Sequence, residues 1–141
     1  VPFEMVTVRY GKTTGTSAVR VTPDEIRENV EGMGPVSEPV IGRHGGEFTC
    51  FGDYSVDLFN HADLNYDPPS RALFDLAAVA IVKNPQWAES KKVPRVNYGE
   101  DGWLLSEAEN DSMVIYENFD RDSIIEDFFK TMKDPHLPGS K

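Results

Sequence analysis

The sequence of 141 residues contains a single cysteine, Cys50. One cysteine cannot close a disulfide within the chain, and it cannot supply a cysteine-based zinc site. This usage fits a reducing compartment, so we expect a cytoplasmic protein, although a single cysteine is also compatible with export.

Long apolar runs and positive charge are also scarce. The longest apolar run, Leu73–Val82, is interrupted by Asp75 and falls well short of the roughly 20 residues of a membrane span, so no membrane partner is expected. Only 14 Lys and Arg residues stand against 24 Asp and Glu, and the net charge is −10. Such a chain repels phosphate backbones, which argues against a nucleic-acid partner.

Common catalytic signatures are missing as well. The sequence has no glycine-rich phosphate loop, no G-x-S-x-G, no H-E-x-x-H and no EF-hand spacing. Its three histidines, His44, His61 and His136, are too far apart in sequence to form a local metal motif. We expect surface or loop histidines, with His61 of most interest because it lies in an aromatic stretch shortly before the run that contains Asp75.

Two further stretches allow two interpretations each. The segment "GRHGGEF", residues 42–48, fits either a tight loop with a positive φ or a flexible flap over a site. The segments "FGDYSVD" and "HADLNYD" each place two Asp residues at i and i+4. Such pairs are either solvated carboxylates on one helix face or a pair that holds a cation.

The periodicity predicts strands and helices mixed along one domain, residues 1–141, and therefore the α/β class with helices packed on a small mixed sheet. Residues 34–47 and 63–70 are predicted loops. The predicted elements are a strand at about 3–10, a short strand at 18–21, a helix capped by Thr22 with a capping box to Glu25, a helix at about 53–62, a buried helix at 71–83, a short turn at Pro85–Ala88, extended segments at 91–98, 102–108 and 112–119, and an amphipathic helix at 120–134.

Asp75 is the most informative residue, because a carboxylate inside an apolar run costs several kcal/mol unless it is paired. It could cap a helix that begins at Leu76, with Phe74 and Val79 as a hydrophobic staple. It could pair with a buried arginine such as Arg71, or it could be a rigid ligand of a hard cation. A helix that is apolar on every side also needs cover that this chain does not supply, so a partner segment is expected.

Three segments resemble the nucleoside hydrolases in their order and spacing: "VPFEMV" at the start, "PSRALFDLAAVAIVKNPQWAE" in the middle and "SMVIYENFDRDSIIEDFFKTM" near the end. The middle segment is similar to the family's His-Asp-Pro-Leu-Ala-Val-Ala motif, whose Asp is a ligand of the catalytic calcium and corresponds to Asp75. Phe74 stands where the family has a substrate-contacting His, and Leu76 stands where it has Pro. The family's N-terminal Asp cluster is not in this chain.

The resemblance implies the C-terminal half of an open-sheet, calcium-dependent enzyme that hydrolyses ribonucleosides to ribose and free base. Asp75 would supply one Ca²⁺ ligand, and the N-terminal half of the same protein would supply the others. His61 is then the candidate that assists the leaving base, while Phe74, Tyr54 and Tyr66 are candidates for substrate contact, the two tyrosines alternatively being core residues. The chain alone is expected to be inactive, and a homo-oligomer is compatible with this interpretation.

Two other interpretations stay open. The chain could be a non-catalytic module that kept the fold, with Phe74 marking the lost chemistry. It could also belong to a related hydrolase that acts on another sugar N-glycoside. Because the sequence begins at Val1 rather than Met, we expect a processed protein or a piece of a longer one.

Overall fold

The computed structural model describes residues 4–8, 14–101 and 104–137, and it shows a mixed α/β protein. In chain order the strands and helices are β1 (Glu4–Val6), β2 (Arg20–Val21), α1 (Pro23–Val30), β3 (Val36–Ile41), β4 (Glu47–Cys50), α2 (Phe51–Asn60), β5 (Arg71–Ala72), α3 (Phe74–Lys83), β6 (Glu89–Tyr98), β7 (Leu104–Glu117) and α4 (Arg121–Met132). Single 3₁₀ turns lie at Thr16–Ala18 and Pro85–Trp87.

The chain forms two compact units, each made of two segments. The first unit comprises Val1–Val19 and Phe74–Asp120, and the second comprises Arg20–Leu73 and Arg121–Lys141. The first unit contains a three-stranded mixed sheet in the order β1-β7-β6. Strand β7 pairs in parallel with β1 and antiparallel with β6. The two extended segments predicted at 102–108 and 112–119 both belong, within the described residues, to the single long strand β7.

Helix α3 packs only one of its faces in the first unit. Ala77, Ala80 and Ile81 are buried, and the helix contacts the 3₁₀ turn at Thr16–Ala18. On the other face Val79 is 66% exposed and Val82 is 87% exposed. The prediction of a helix buried on every side is therefore wrong, because an apolar composition does not by itself bring neighbours to every face.

The structure shows how the Asp75 carboxylate is accommodated within its apolar run. The helix begins at Phe74 rather than at Leu76, so Asp75 lies in its first turn and is not the N-cap. The carboxylate is exposed to solvent, where its charge costs little and favours the helix N-terminus. Arg71 is not the buried arginine of the second alternative, since it is exposed and donates a hydrogen bond to the carbonyl oxygen of Asp63.

The second unit is organised around α1, whose start is the best predicted feature of the chain. Thr22 is the N-cap, Pro23 occupies the first helical turn, and Glu25 completes a reciprocal capping box with Thr22. Arg121 at the start of α4 reaches the same point, because its Nη2 donates to both carboxylate oxygens of Glu25 at 2.7 and 2.9 Å. Its Nε donates to the carbonyl oxygen of Arg20, which joins β2 to the two helix starts.

Helices α1 and α2 approach so closely that one position requires glycine. A Cβ atom on Gly52 would lie 1.7 Å from the carbonyl oxygen of Val30, and the N–H of Gly52 donates to the carbonyl oxygen of Met33. The apolar side of α1 and the inner face of α4 supply the core of this unit. Its buried apolar residues are Val21, Ile26, Val30, Cys50, Val56, Ala72, Ile124, Ile125 and Met132.

Several boundaries differ from the predicted ones. Residues 34–47, predicted as a loop, contain β3 and the start of the antiparallel β3–β4 hairpin, because Gly and Pro punctuation hides an exposed strand. Helix α2 begins at Phe51, two residues before the predicted start. Of the strand predicted at 3–10, residues Glu4–Val6 form β1, and residues 3, 9 and 10 lie outside the described ranges. Among the described residues, no helix is long and apolar enough to cross a membrane.

Candidate functional site

The turn of the β3–β4 hairpin carries His44 in the second unit. Gly42 and Gly46 close this turn through a hydrogen bond of 2.7 Å from the N–H of Gly42 to the carbonyl of Gly46, and Gly45 has a φ of +92°. The tight-loop interpretation with a positive φ is therefore confirmed for "GRHGGEF". The turn fixes the backbone on both sides of His44, so its imidazole projects from a defined position.

The C-terminal end of α2 supplies the other two residues of interest, Asp57 and His61. They are four residues apart and lie on the same face of the helix. His61 is the C-cap residue, and its Nδ1 lies 2.8 Å from the carbonyl oxygen of Asp57, where it satisfies one of the last helical carbonyls. The same Nδ1 lies 3.4 Å from Oδ1 of the Asp57 side chain.

Asp57 joins the hairpin turn to the helix, and the three residues form what we call the HDH cluster (His44, Asp57 and His61). Nδ1 of His44 lies 3.1 Å from Oδ2 of Asp57, so the two carboxylate oxygens face two different imidazoles. The two rings stack with their centroids 4.1 Å apart and their planes 20° from parallel. One possible ligand atom from each of the three side chains lies within 4.8 Å of the others.

The two Asp residues of "FGDYSVD" have separate functions rather than forming a pair. Asp53 accepts a hydrogen bond of 2.7 Å from the N–H of Gly32, which connects α2 to the end of α1. Asp57 belongs to the HDH cluster one turn later. Each of these two exposed contacts joins a carboxylate to its own partner, so Asp53 and Asp57 do not face each other.

A cleft of about 440 Å³ opens beside the HDH cluster. This volume falls within the roughly 300–1,000 Å³ of typical small-molecule sites. Its wall combines two imidazoles, two guanidinium groups and a carboxylate with apolar side chains, so it can accept a small polar molecule that has a flat apolar face. The lining residues are Arg43, His44, Leu58, Phe59, His61, Ala62, Asp63, Arg71, Ala72 and Leu73.

Of the residues proposed from the sequence, the structure places only His61 on this cleft. Tyr54 packs against Phe48, with ring centroids 5.5 Å apart, which is a packing role within the hairpin and helix. Tyr66 has a φ of +74° and lies beneath the guanidinium of Arg20, whose Cζ is 4.1 Å from the ring centroid. Its ring already has a cationic partner, which is the arrangement expected of a cation–π contact.

Phe74 and Asp75 begin α3 in the first unit, whereas His61 belongs to the second. The sequence predicts a loop or surface position for His44 and a surface position for Asp57, and it predicts no contact of either residue with His61. The spacing Asp57-x-x-x-His61 was available as a signal, since i and i+4 side chains meet on a helix. The contribution of His44 depends on the hairpin and carries no local signal.

Comparisons of this chain with models of known protein families, with curated proteins and with solved structures found no match.

Proposed function

We propose that this chain is part of a hydrolase that cleaves the N-glycosidic bond of small nucleoside-like molecules, with a nucleoside hydrolase-like fold completed by an N-terminal half. One observation supports it best: the imidazole of His61 lies on the wall of a cleft of small-molecule size and is held there by Asp57. The segments that resemble the nucleoside hydrolases supply the reaction class, and the cleft supplies a place for the departing base.

The chemistry assigned to His61 is stabilisation of the leaving group. When an N-glycosidic bond breaks, the sugar develops oxocarbenium character and negative charge develops on the base. A hydrogen-bond donor aimed at a ring nitrogen of the base lowers the barrier, because it interacts more strongly with the transition state than with the substrate. The contacts of His61 Nδ1 with two oxygens of Asp57 orient the ring with Nδ1–H as the donor, and Nε2 donates to the base when both ring nitrogens carry a proton.

Two arginines give the cleft a means of recognising base carbonyl groups. Arg43 lies next to His44 in the hairpin turn, and Arg71 is anchored by its 3.1 Å hydrogen bond to the carbonyl oxygen of Asp63. Guanidinium groups provide planar donors that suit carbonyl oxygens, and Leu58 and Phe59 provide apolar surface for the faces of a planar ring.

The calcium role of Asp75 is the second component of the proposal, and it rests on the resemblance. Its exposed position in the first turn of α3 leaves its oxygens accessible to a cation whose remaining ligands come from the N-terminal half. In the full-length protein, Asp75→Asn is expected to weaken calcium binding and to lower kcat/KM by about 100-fold, since the loss of about 3 kcal/mol at 1.36 kcal/mol per tenfold gives that factor.

The experiment that tests the proposal measures ribose release from inosine and uridine by the full-length protein and by two histidine variants. His61→Gln is expected to lower kcat with little change in KM, because the contact strengthens only in the transition state. His136→Gln is the matched control, since His136 is exposed near the C-terminus and is not one of the cleft residues. Equal rates for wild type and His61→Gln would remove the assigned role.

A second candidate function is a non-catalytic binding module, and Phe74 in place of the family's histidine favours it. NMR titration of the full-length protein with hypoxanthine and with uracil distinguishes the two functions. Shifts at Arg43 and Arg71 without any ribose release support the module. Shifts together with calcium-dependent release support the hydrolase, and no shifts at either residue argue against a base site in this cleft.

A further inference from the structure

The geometry points to a transition-metal site at the HDH cluster, of the class that Zn²⁺ fills. His44, Asp57 and His61 each offer one possible ligand atom, and these atoms lie within 4.8 Å of one another. This inference is independent of the proposed hydrolase function, since it depends only on the positions of three side chains in the second unit.

The donor set selects the kind of metal. Two imidazole nitrogens and one carboxylate oxygen suit Zn²⁺ and its neighbours in the transition series, whereas Ca²⁺ takes six to eight oxygens. Zinc bonds of about 2.0–2.2 Å place two tetrahedral ligand atoms roughly 3.3–3.5 Å apart. Nδ1 of His44 lies 3.1 Å from Oδ2 of Asp57 and Nδ1 of His61 lies 3.4 Å from Oδ1, so each imidazole is close to a different oxygen of the same carboxylate. For one ligand atom from each residue the mutual separations are within 4.8 Å, so the side chains must draw closer around the ion.

The backbone holds the three residues together before any ion binds. The hairpin turn fixes His44, and the last turn of α2 fixes Asp57 and His61 at i and i+4. The carbonyl oxygen of Asp57 lies 2.8 Å from Nδ1 of His61, and it would orient the ring in the manner of an outer-shell partner if Nε2 were the ligand. The backbone thus brings the three side chains together, while the two imidazoles, stacked with their planes 20° apart, must rotate for both rings to face one ion.

The ion can reach this cluster from solvent and keeps an open position. The side chain of His61 is 49% exposed and that of His44 is 29% exposed, so no buried charge has to be created. Three protein ligands leave the fourth tetrahedral position to water or to a molecule in the adjoining cleft. Metal and base would compete for His61, so the two proposals together predict that Zn²⁺ inhibits ribose release.

The test is a titration of the full 141-residue chain with Zn²⁺ by calorimetry and with Co²⁺ by visible absorption. We expect one ion per chain, and a Co²⁺ spectrum with the intense bands of a four-coordinate site containing nitrogen ligands. His44→Ala and His61→Ala should each weaken Zn²⁺ binding at least about tenfold, since even loss of an outer-shell partner costs about 10–100-fold. Asp57→Asn should weaken it by a similar factor.

His136→Ala is the matched control, because it removes the third histidine of the chain and leaves the HDH cluster intact. Its Zn²⁺ affinity should equal that of wild type. Circular dichroism of each variant establishes that the fold is retained, and His44→Gln provides a milder change in the same exposed turn if an alanine variant unfolds. The inference is overturned if the double variant His44→Gln/His61→Gln binds Zn²⁺ as tightly as wild type, or if His136→Ala loses affinity equally.

Discussion

The contact between Glu25 and Arg121 offers a measurement that separates a specific ion pair from general helix electrostatics. Arg121 joins the start of α4 to the start of α1 across 96 positions of sequence, with two hydrogen bonds of 2.7 and 2.9 Å to the Glu25 carboxylate. Burial works against ionisation of Glu25, but hydrogen bonds from Arg121 and Thr22 outweigh it and hold the pKa of this carboxyl below its usual value of 4.5. The ionised form therefore stabilises the fold.

The substitution Glu25→Gln removes the charge and keeps a side chain that can complete the capping box with Thr22. Charge-assisted hydrogen bonds contribute about 1.5–3 kcal/mol when shielded, but the side chains of Glu25 and Arg121 are 36% and 31% exposed, which reduces the expected loss to about 1 kcal/mol. For a chain of 141 residues, a loss of that size lowers Tm by about 3–6 °C.

The matched control is Asp24→Asn, which removes a carboxylate from the same first helical turn. Asp24 is 81% exposed and pairs with Arg27 on the surface, so we expect a loss of about 0.3–0.5 kcal/mol from its interactions with the helix dipole and with Arg27. Urea unfolding followed by circular dichroism at about pH 7 should give the larger loss for Glu25→Gln. Equal losses for the two variants would refute the assignment of stability to Arg121.

The pH dependence supplies a second criterion. Because the native-state pKa of Glu25 is lowered, its contribution is fully present above its usual value of 4.5 and is lost as the pH falls through the lowered native value. The stability difference between wild type and Glu25→Gln should therefore narrow between about pH 5 and about pH 3. A difference that stays constant over this range would show that glutamate packing, rather than its charge, is responsible.

Three further predictions concern packing. Gly52→Ala should destabilise the chain by at least about 2 kcal/mol in urea unfolding, because its Cβ would meet the carbonyl oxygen of Val30, and a neutral result would contradict that close approach. Ile81→Ala should lower the free energy of unfolding by about 2–4 kcal/mol, whereas Val82→Ala should lower it by less than about 0.5 kcal/mol. Equal losses would support the original prediction that α3 is buried on every side. Burial raises the pKa of the Cys50 thiol, so it should react slowly with a disulfide reagent at neutral pH and quickly after unfolding in urea, and equally fast reaction in both states would contradict its burial.

The sequence predicted those elements whose signals are local. The α1 start carries its cap, its proline and its capping-box glutamate within four consecutive residues, and each is found in the predicted role. The sequence also predicts a buried stripe on α4, made of Ile124, Ile125, Phe128, Phe129 and Met132. Ile124, Ile125 and Met132 are buried, whereas Phe128 and Phe129 are only partly buried. Strand β3 was not predicted, because its extended conformation depends on pairing with β4. It is exposed on both faces, so its sequence shows no alternation between buried and exposed residues.

The run around Asp75 shows why composition misleads about depth. Ala77, Ala80 and Ile81 meet the core of the first unit, while Val79 and Val82, equally apolar, face solvent. A helix that is apolar on all sides has little amphipathic asymmetry, so its sequence does not show which face is buried or how many faces are covered. An exposed first-turn position then lets Asp75 keep its charge at little cost, and its apolar neighbours in sequence are not its neighbours in space.

The HDH cluster depends on the same distinction between sequence and space. The helical repeat, which can be read from the sequence, brings Asp57 and His61 together. His44 lies 13 residues before Asp57 and reaches it through a hairpin whose first strand has no sequence signal. In sequence, the hairpin turn with His44 and the end of α2 with Asp57 each resemble an ordinary solvated surface. Asp57 alone orients the ring of His61, but only the three residues together place an imidazole beside each oxygen of one carboxylate.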